Sequence, residues 1–103
     1  MLSGKQKRYL RGLGHSLKPV IMIGKNEIND KVINETGIAL ADHELIKVRI
    51  LESCAVDRHE IADSLATKCG AEVAQLLGRT ILIYRKGDEP KIELPKTSGK
   101  TRD

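Results

Sequence analysis

The chain of 103 residues contains no phenylalanine and no tryptophan, and its aromatic content is Tyr9 and Tyr84. A core built from it must be aliphatic. The same shortage counts against a nucleic-acid grip made of stacked aromatic platforms. Cysteine is almost as scarce. Cys54 and Cys69 make no disulfide framework, and with His43 and His59 they match no common metal-ligand spacing, so no metal is expected. Cys69 falls on the apolar stripe of a predicted helix, where a free thiol acts as a small hydrophobe. No stretch approaches the roughly 18 uninterrupted apolar residues of a membrane span. The N-terminal residues hold no apolar run of signal-peptide length. A cytoplasmic location without membrane contact is therefore expected.

What the chain has is charge, unevenly spread. Lys and Arg number 18 against 14 Asp and Glu, a formal net charge of +4. Residues 1–25 hold Lys5, Lys7, Arg8, Arg11, Lys18 and Lys25 and no acid, whereas residues 26–46 hold five acids and one lysine. The first quarter is thus more positive than the whole chain. Such asymmetry points to a polyanionic partner, nucleic acid first. The plain alternative is a solvated basic helix that aids solubility.

Hydrophobic residues make up 40% of the chain, enough for a single folded domain at this length. Ser3 and Gln6 have capping-box spacing and start a helix that turns Leu10 and Leu13 inward, with Gly12 and Gly14 ending it. Lys5, Lys7, Arg8 and Arg11 then lie on its exposed side. Pro19 opens a strand whose continuous apolar run, residues 20–23, reads as buried on both faces. Asn29 caps a second helix in which Val32, Thr36 and Leu40 recur at helical spacing. His43 and Glu44 read as a connector. In the next strand Ile46, Val48 and Ile50 share one face, and Lys47 and Arg49 the other. Asp57 starts a third helix, Gly70 caps it, and two strands follow, joined tightly at Gly78 and Arg79. Residues 86–90 form a loop, after which Ile92 and Leu94 pack back. The order is αβαβαββ: a compact two-layer α/β domain, a mixed four-stranded sheet with helices, over residues 1–95. Residues 96–103 are expected to be a disordered polar tail.

Few motifs carry chemistry. Gly99-Lys100-Thr101 looks like the end of a phosphate-binding P-loop, but the pattern needs glycine at position 94, which is Leu. No nucleophile elbow and no metalloprotease motif is present. The three histidines are scattered, so no enzyme and no cofactor are expected. The most informative stretch is Gly24-Lys25-Asn26, where a strand runs through a short loop toward a helix N-terminus. Backbone N–H groups and the helix dipole favour an anion there, and Gly24 permits close approach. An ordinary strand-to-helix turn uses the same residues.

Four stretches together resemble a known family: LSGKQKRYLRGL (2–13), LKPVIMIGKN (17–26), HELIKVR (43–49) and GRTILIYR (78–85). They are similar to the CRM domain (chloroplast RNA splicing and ribosome maturation) in its small bacterial YhbY form. The resemblance implies a fold similar to the C-terminal domain of translation initiation factor three. It also implies a G-x-x-G loop like the backbone-clamping loop of KH domains, and a role with precursors of the large ribosomal subunit. Where the pattern has its second glycine, this chain has Glu27. If that position needs a positive φ, glutamate is strained by roughly 1–2 kcal/mol, and its carboxylate adds repulsion beside a phosphate path. The loop is then expected to grip less tightly, and RNA binding to lean on the basic N-terminal helix.

The residues expected to meet RNA are Lys5, Lys7, Arg8, Arg11, Lys18, Gly24, Lys25, Asn26, Lys47 and Arg49. The expected partner is precursor RNA of the large ribosomal subunit, not DNA, bound by a monomer. An adaptor that docks an acidic protein, or a small hydrolase with a deep pocket, are the alternatives.

Overall fold

The structure is a computed structural model in which residues 2–96 are described. The expected tail beyond residue 96, with Gly99-Lys100-Thr101, lies outside them. Helices α1 (Gly4–Gly14), α2 (Asp30–His43) and α3 (Arg58–Cys69) alternate with strands β1 (Pro19–Ile23), β2 (Leu45–Ile50), β3 (Glu72–Leu77) and β4 (Thr80–Tyr84). This is the expected αβαβαββ order. The sheet order is β1-β2-β4-β3. β1 runs parallel to β2, and the other two pairs are antiparallel.

Strand alternation divides the side chains into two sets. Ile21, Ile23, Ile46, Val48, Ile50, Ile81 and Ile83 face α2 and α3 and form the main core with Leu40, Ile61 and Leu65. On the reverse face Leu45, Ala74, Leu82 and Tyr84 make a second cluster with Leu2 and Leu10 of the α1 segment, and Leu17, Ile92 and Leu94 pack against it. Sheet, α2 and α3 are thus two layers, and α1 is added on the reverse face.

Local chemistry sets the helix ends. The Ser3 hydroxyl accepts from the Gln6 N–H at 3.1 Å and the Gln6 carboxamide oxygen accepts from the Ser3 N–H at 3.0 Å, a complete capping box. Asn29 Oδ1 accepts from Val32 N–H at 2.9 Å. Asp57 accepts from the His59 and Glu60 N–H groups. Burial works to raise the Asp57 carboxyl, but these two donors and the neighbouring His59 bring it below its ordinary value. Gly70 caps α3 at φ 62°, and Gly78 turns the β3–β4 hairpin at φ 59°. Both conformations suit glycine.

Three expectations are corrected. Helix α1 does end at Gly14, but neither Gly12 nor Gly14 caps it: the C-cap is His15, in right-handed geometry. Gly14 is there for contact: a Cβ would lie 2.9 Å from the Leu82 methyl carbons. Leu13 does not face inward but is 39% exposed, because the close approach at Gly14 and the buried Leu10 fix which stripe meets the sheet. Complete burial of Leu10 contributes about 2 kcal/mol to docking α1. Nor is β1 buried on both faces. Val20 is 55% and Met22 50% exposed, since β1 is an edge strand and α1 does not cover its reverse face.

Candidate nucleic-acid interface

The open part of the reverse face carries two of the sequence-predicted cations. Lys47 and Arg49 alternate with the buried Ile46, Val48 and Ile50 and so point to the reverse side. In register, Met22 pairs with Arg49, and Arg49 with Thr80. Pro19 pairs with Lys47, and Lys47 with Leu82. Arg49 is exposed and Lys47 half-buried. Leucine or isoleucine at these two positions would read as core; the cations mark a face built for water or a polyanion.

Helix α1 borders this surface. Gln6 points to the C-terminal segment, its Nε2 donating to the Pro95 carbonyl at 3.0 Å. Helical spacing puts Lys7 and Arg11 one turn apart on the flank opposite Gln6 and Leu13. Arg8 and Lys5 continue round the exposed side. Arg11 also stands in the last turn, where a cation favours the helix dipole. Lys18, between α1 and β1, is exposed.

The glycine loop lies at the far end of β1. Glu27 N–H donates to the Gly24 carbonyl at 2.9 Å, closing a turn over residues 24–27. Gly24 has no positive φ. A Cβ there would come 3.1 Å from Ser53 Oγ, so its smallness serves the approach of the 51–54 loop. Lys25 and Asn26 are exposed at the tip. The anion capacity of this corner is limited, because the Glu27 and Val32 N–H groups already have partners. Glu27 does occupy the left-handed region, at φ 55°. Its side chain borders a surface depression with Glu60, Ser64 and Lys68, on the α3 side of the sheet.

Glu27→Gly is therefore expected to raise stability by about 0.5–1 kcal/mol, the left-handed cost less the extra freedom of glycine in the unfolded chain. RNA affinity should rise less than about threefold, because Glu27 borders the depression on the α3 side and salt screens a single surface carboxylate beyond about 10 Å. Thermal melting and anisotropy titration check the two effects. A fall in stability would contradict the assigned strain.

All ten candidate residues fall on α1, its exit, the reverse face or the β1 tip. Sequence reasoning missed Arg79. It is exposed at the hairpin tip and its Nη1 donates to the Leu51 carbonyl at 3.2 Å, beside the loop that packs on Gly24. A cation in the tip of a tight hairpin was the available signal. Arg85, within the fourth matching stretch, is structural: its guanidinium donates to the Cys69 and Gly37 carbonyls, both at 2.9 Å, tying α3 to α2. Burial pushes the Cys69 thiol up although the Arg85 charge opposes this, so the thiol is no ready nucleophile. Among the described residues no group of three or more His, Cys, Asp or Glu is placed to hold a metal ion, and no helix is long and apolar enough to cross a membrane.

Fold and surface define a small α/β domain that offers one basic, partly open sheet face. Residues 2–85 match the CRS1/YhbY (CRM) domain, and the chain belongs to that family. It is 42% identical over 96 residues to the Bacillus subtilis protein named "Probable RNA-binding protein YqeI", covering 92% of this chain and all of the relative. It is 38% identical over 95 residues to a Haemophilus influenzae protein named "RNA-binding protein", covering 92% of this chain and 96% of that one. The solution structure of SAV1595 from Staphylococcus aureus shares 43% identity and superposes with a TM-score of 0.78, over 92% of this chain and all of that one.

Proposed function

We propose that this protein binds RNA by its phosphate backbone and assists maturation of the large ribosomal subunit. The observation that carries the reading is that Lys47 and Arg49 stand on a sheet face that α1 leaves partly open, with Lys7 and Arg11 on the helix that borders it. An uncovered sheet face is polar as a rule; here its polar positions on β2 are both cations, Lys47 and Arg49. The names of the relatives support RNA as the polyanion. The resemblance to bacterial YhbY-like proteins supports the precursor of the large subunit as its source. The role is binding, with phosphate contacts from α1, Lys18 and the reverse face and a weaker contribution from the Gly24 loop. Sequence selectivity is low, because phosphates carry no sequence information and the chain has two aromatic residues.

Two measurements test this reading. Binding to single-stranded ribosomal RNA should weaken with salt at a log–log slope of about −3 to −4, the value for roughly four to six phosphate contacts. In a sucrose gradient the protein should travel with immature large subunits. Salt-independent binding would contradict the phosphate grip, and migration only as free protein would contradict the ribosomal role.

A further inference from the structure

Between the end of α1 and the first two strands lies a cleft of about 500 Å³ that phosphate contacts alone do not use. Leu13, Val20 and Leu45 give it an apolar lining, and Lys18, Lys47 and His43 line it as well. Leu13 and Val20 are 39% and 55% exposed, apolar surface left to solvent in a small domain. Largely apolar walls with a few placed polar groups are the usual composition of a small-ligand site.

Lys47 belongs both to the cleft and to the proposed phosphate-binding face, so a strand crossing that face passes the mouth of the cleft. A single-stranded RNA carries bases that can be splayed out, each with two apolar faces and a polar edge. The aliphatic walls fit the faces, and the imidazole of His43 is a stacking partner of the kind RNA-binding proteins use. The two lysines complement the phosphates on either side of such a base. We propose that the cleft receives one unstacked nucleobase of the bound RNA, with Lys18 and Lys47 holding the flanking phosphates. The inference rests on the RNA-binding reading and deepens it, giving a chain poor in aromatics one point of base contact.

The test is methyl-resolved NMR of the full chain titrated with adenosine monophosphate, with ribose 5-phosphate as a base-free control and a single-stranded oligoribonucleotide as competitor. Adenosine monophosphate should move the Leu13, Val20 and Leu45 methyl signals upfield, through the ring current of the base. Ribose 5-phosphate should leave them in place, and the oligoribonucleotide should displace the mononucleotide. His43→Ala should weaken mononucleotide binding about tenfold if its ring stacks on the base; His43 is exposed at the end of α2, so the fold survives. Methyl signals that do not move, or that move equally with ribose 5-phosphate, overturn the proposal. So does mononucleotide that stays bound at saturating oligoribonucleotide, which would make the cleft a site for a free nucleotide. Oligoribonucleotide binding without methyl shifts removes the base site and leaves the RNA reading standing. Absence of oligoribonucleotide binding removes that reading itself.

Discussion

Replacing Lys47 and Arg49 together by glutamate is expected to weaken RNA binding on the order of a hundredfold at low salt, and less as salt rises. The change reverses two charges at the centre of the proposed face. It removes two favourable phosphate contacts and puts two carboxylates in the path of the strand. The fold should tolerate it, since Arg49 is exposed and Lys47 half-buried on a face whose alternate positions, Ile46, Val48 and Ile50, carry the core. Anisotropy titration reads the affinity, and circular dichroism checks that the melting temperature is kept. Charge reversal on the opposite side of the molecule, such as Lys31→Glu on exposed α2, should cost far less. Equal losses at the two places would mean a diffuse attraction to the whole basic chain.

Glu44→Gln is expected to produce the largest loss of stability. Glu44 is 1% exposed and stands at φ 65° just beyond α2. Its carboxylate accepts three backbone N–H groups, from Gly87 at 2.7 Å, Ile92 at 2.8 Å and Lys91 at 2.9 Å. The 86–92 segment is thereby fixed across the end of the sheet, where Ile92 joins the second core cluster. The clamp has no spare room, since a Cβ on Gly87 would meet Glu44 Oε2 at 2.7 Å. The glutamine carboxamide replaces one acceptor oxygen by a donor facing backbone N–H. At least one buried donor then loses its partner, and the melting temperature should fall by at least about 5 °C. Burial works to raise the Glu44 carboxyl, but the Ile92, Gly87 and Lys91 N–H donors and the Lys91 charge bring it below its ordinary value of 4.5. A carboxyl lowered in the folded state stabilises above its unfolded pKa and loses that contribution as pH falls through the folded value. Native protein should therefore lose stability as pH drops below about 4.5, and Glu44→Gln should lose less over the same interval. Melting curves across that range, native against variant, check the difference in slope.

The elements themselves were legible because their signals are local. The capping residues Ser3, Asn29 and Asp57, the alternation through β2 and the glycines at positions 70 and 78 each act within a few residues. Thr36 was placed inward correctly by helical spacing alone and is fully buried. The failures all needed information from far along the chain. The run from Val20 to Ile23 is apolar throughout, but strand order decides that β1 is an edge and that only Ile21 and Ile23 reach the core. Leu13 and Leu10 look equivalent on a helical wheel until Leu82 and Gly14 fix the line of contact. Glu44 reads as a polar connector because its three partners lie 43 to 48 residues later. Of the interface, the charge was legible in the sequence. That α1 and the reverse side of β2 share one surface follows from packing α1 on Leu82 and Tyr84.

The central claim is that RNA lies on the reverse face of the sheet. Amide and side-chain chemical-shift mapping of the full chain, titrated with single-stranded ribosomal RNA, tests it most directly. Shifts concentrated at Lys7, Arg11, Lys18, Lys47 and Arg49, with smaller ones at Lys25 and Asn26, are the predicted result. Shifts concentrated on α2 and α3, with β2 and α1 unmoved, would contradict it.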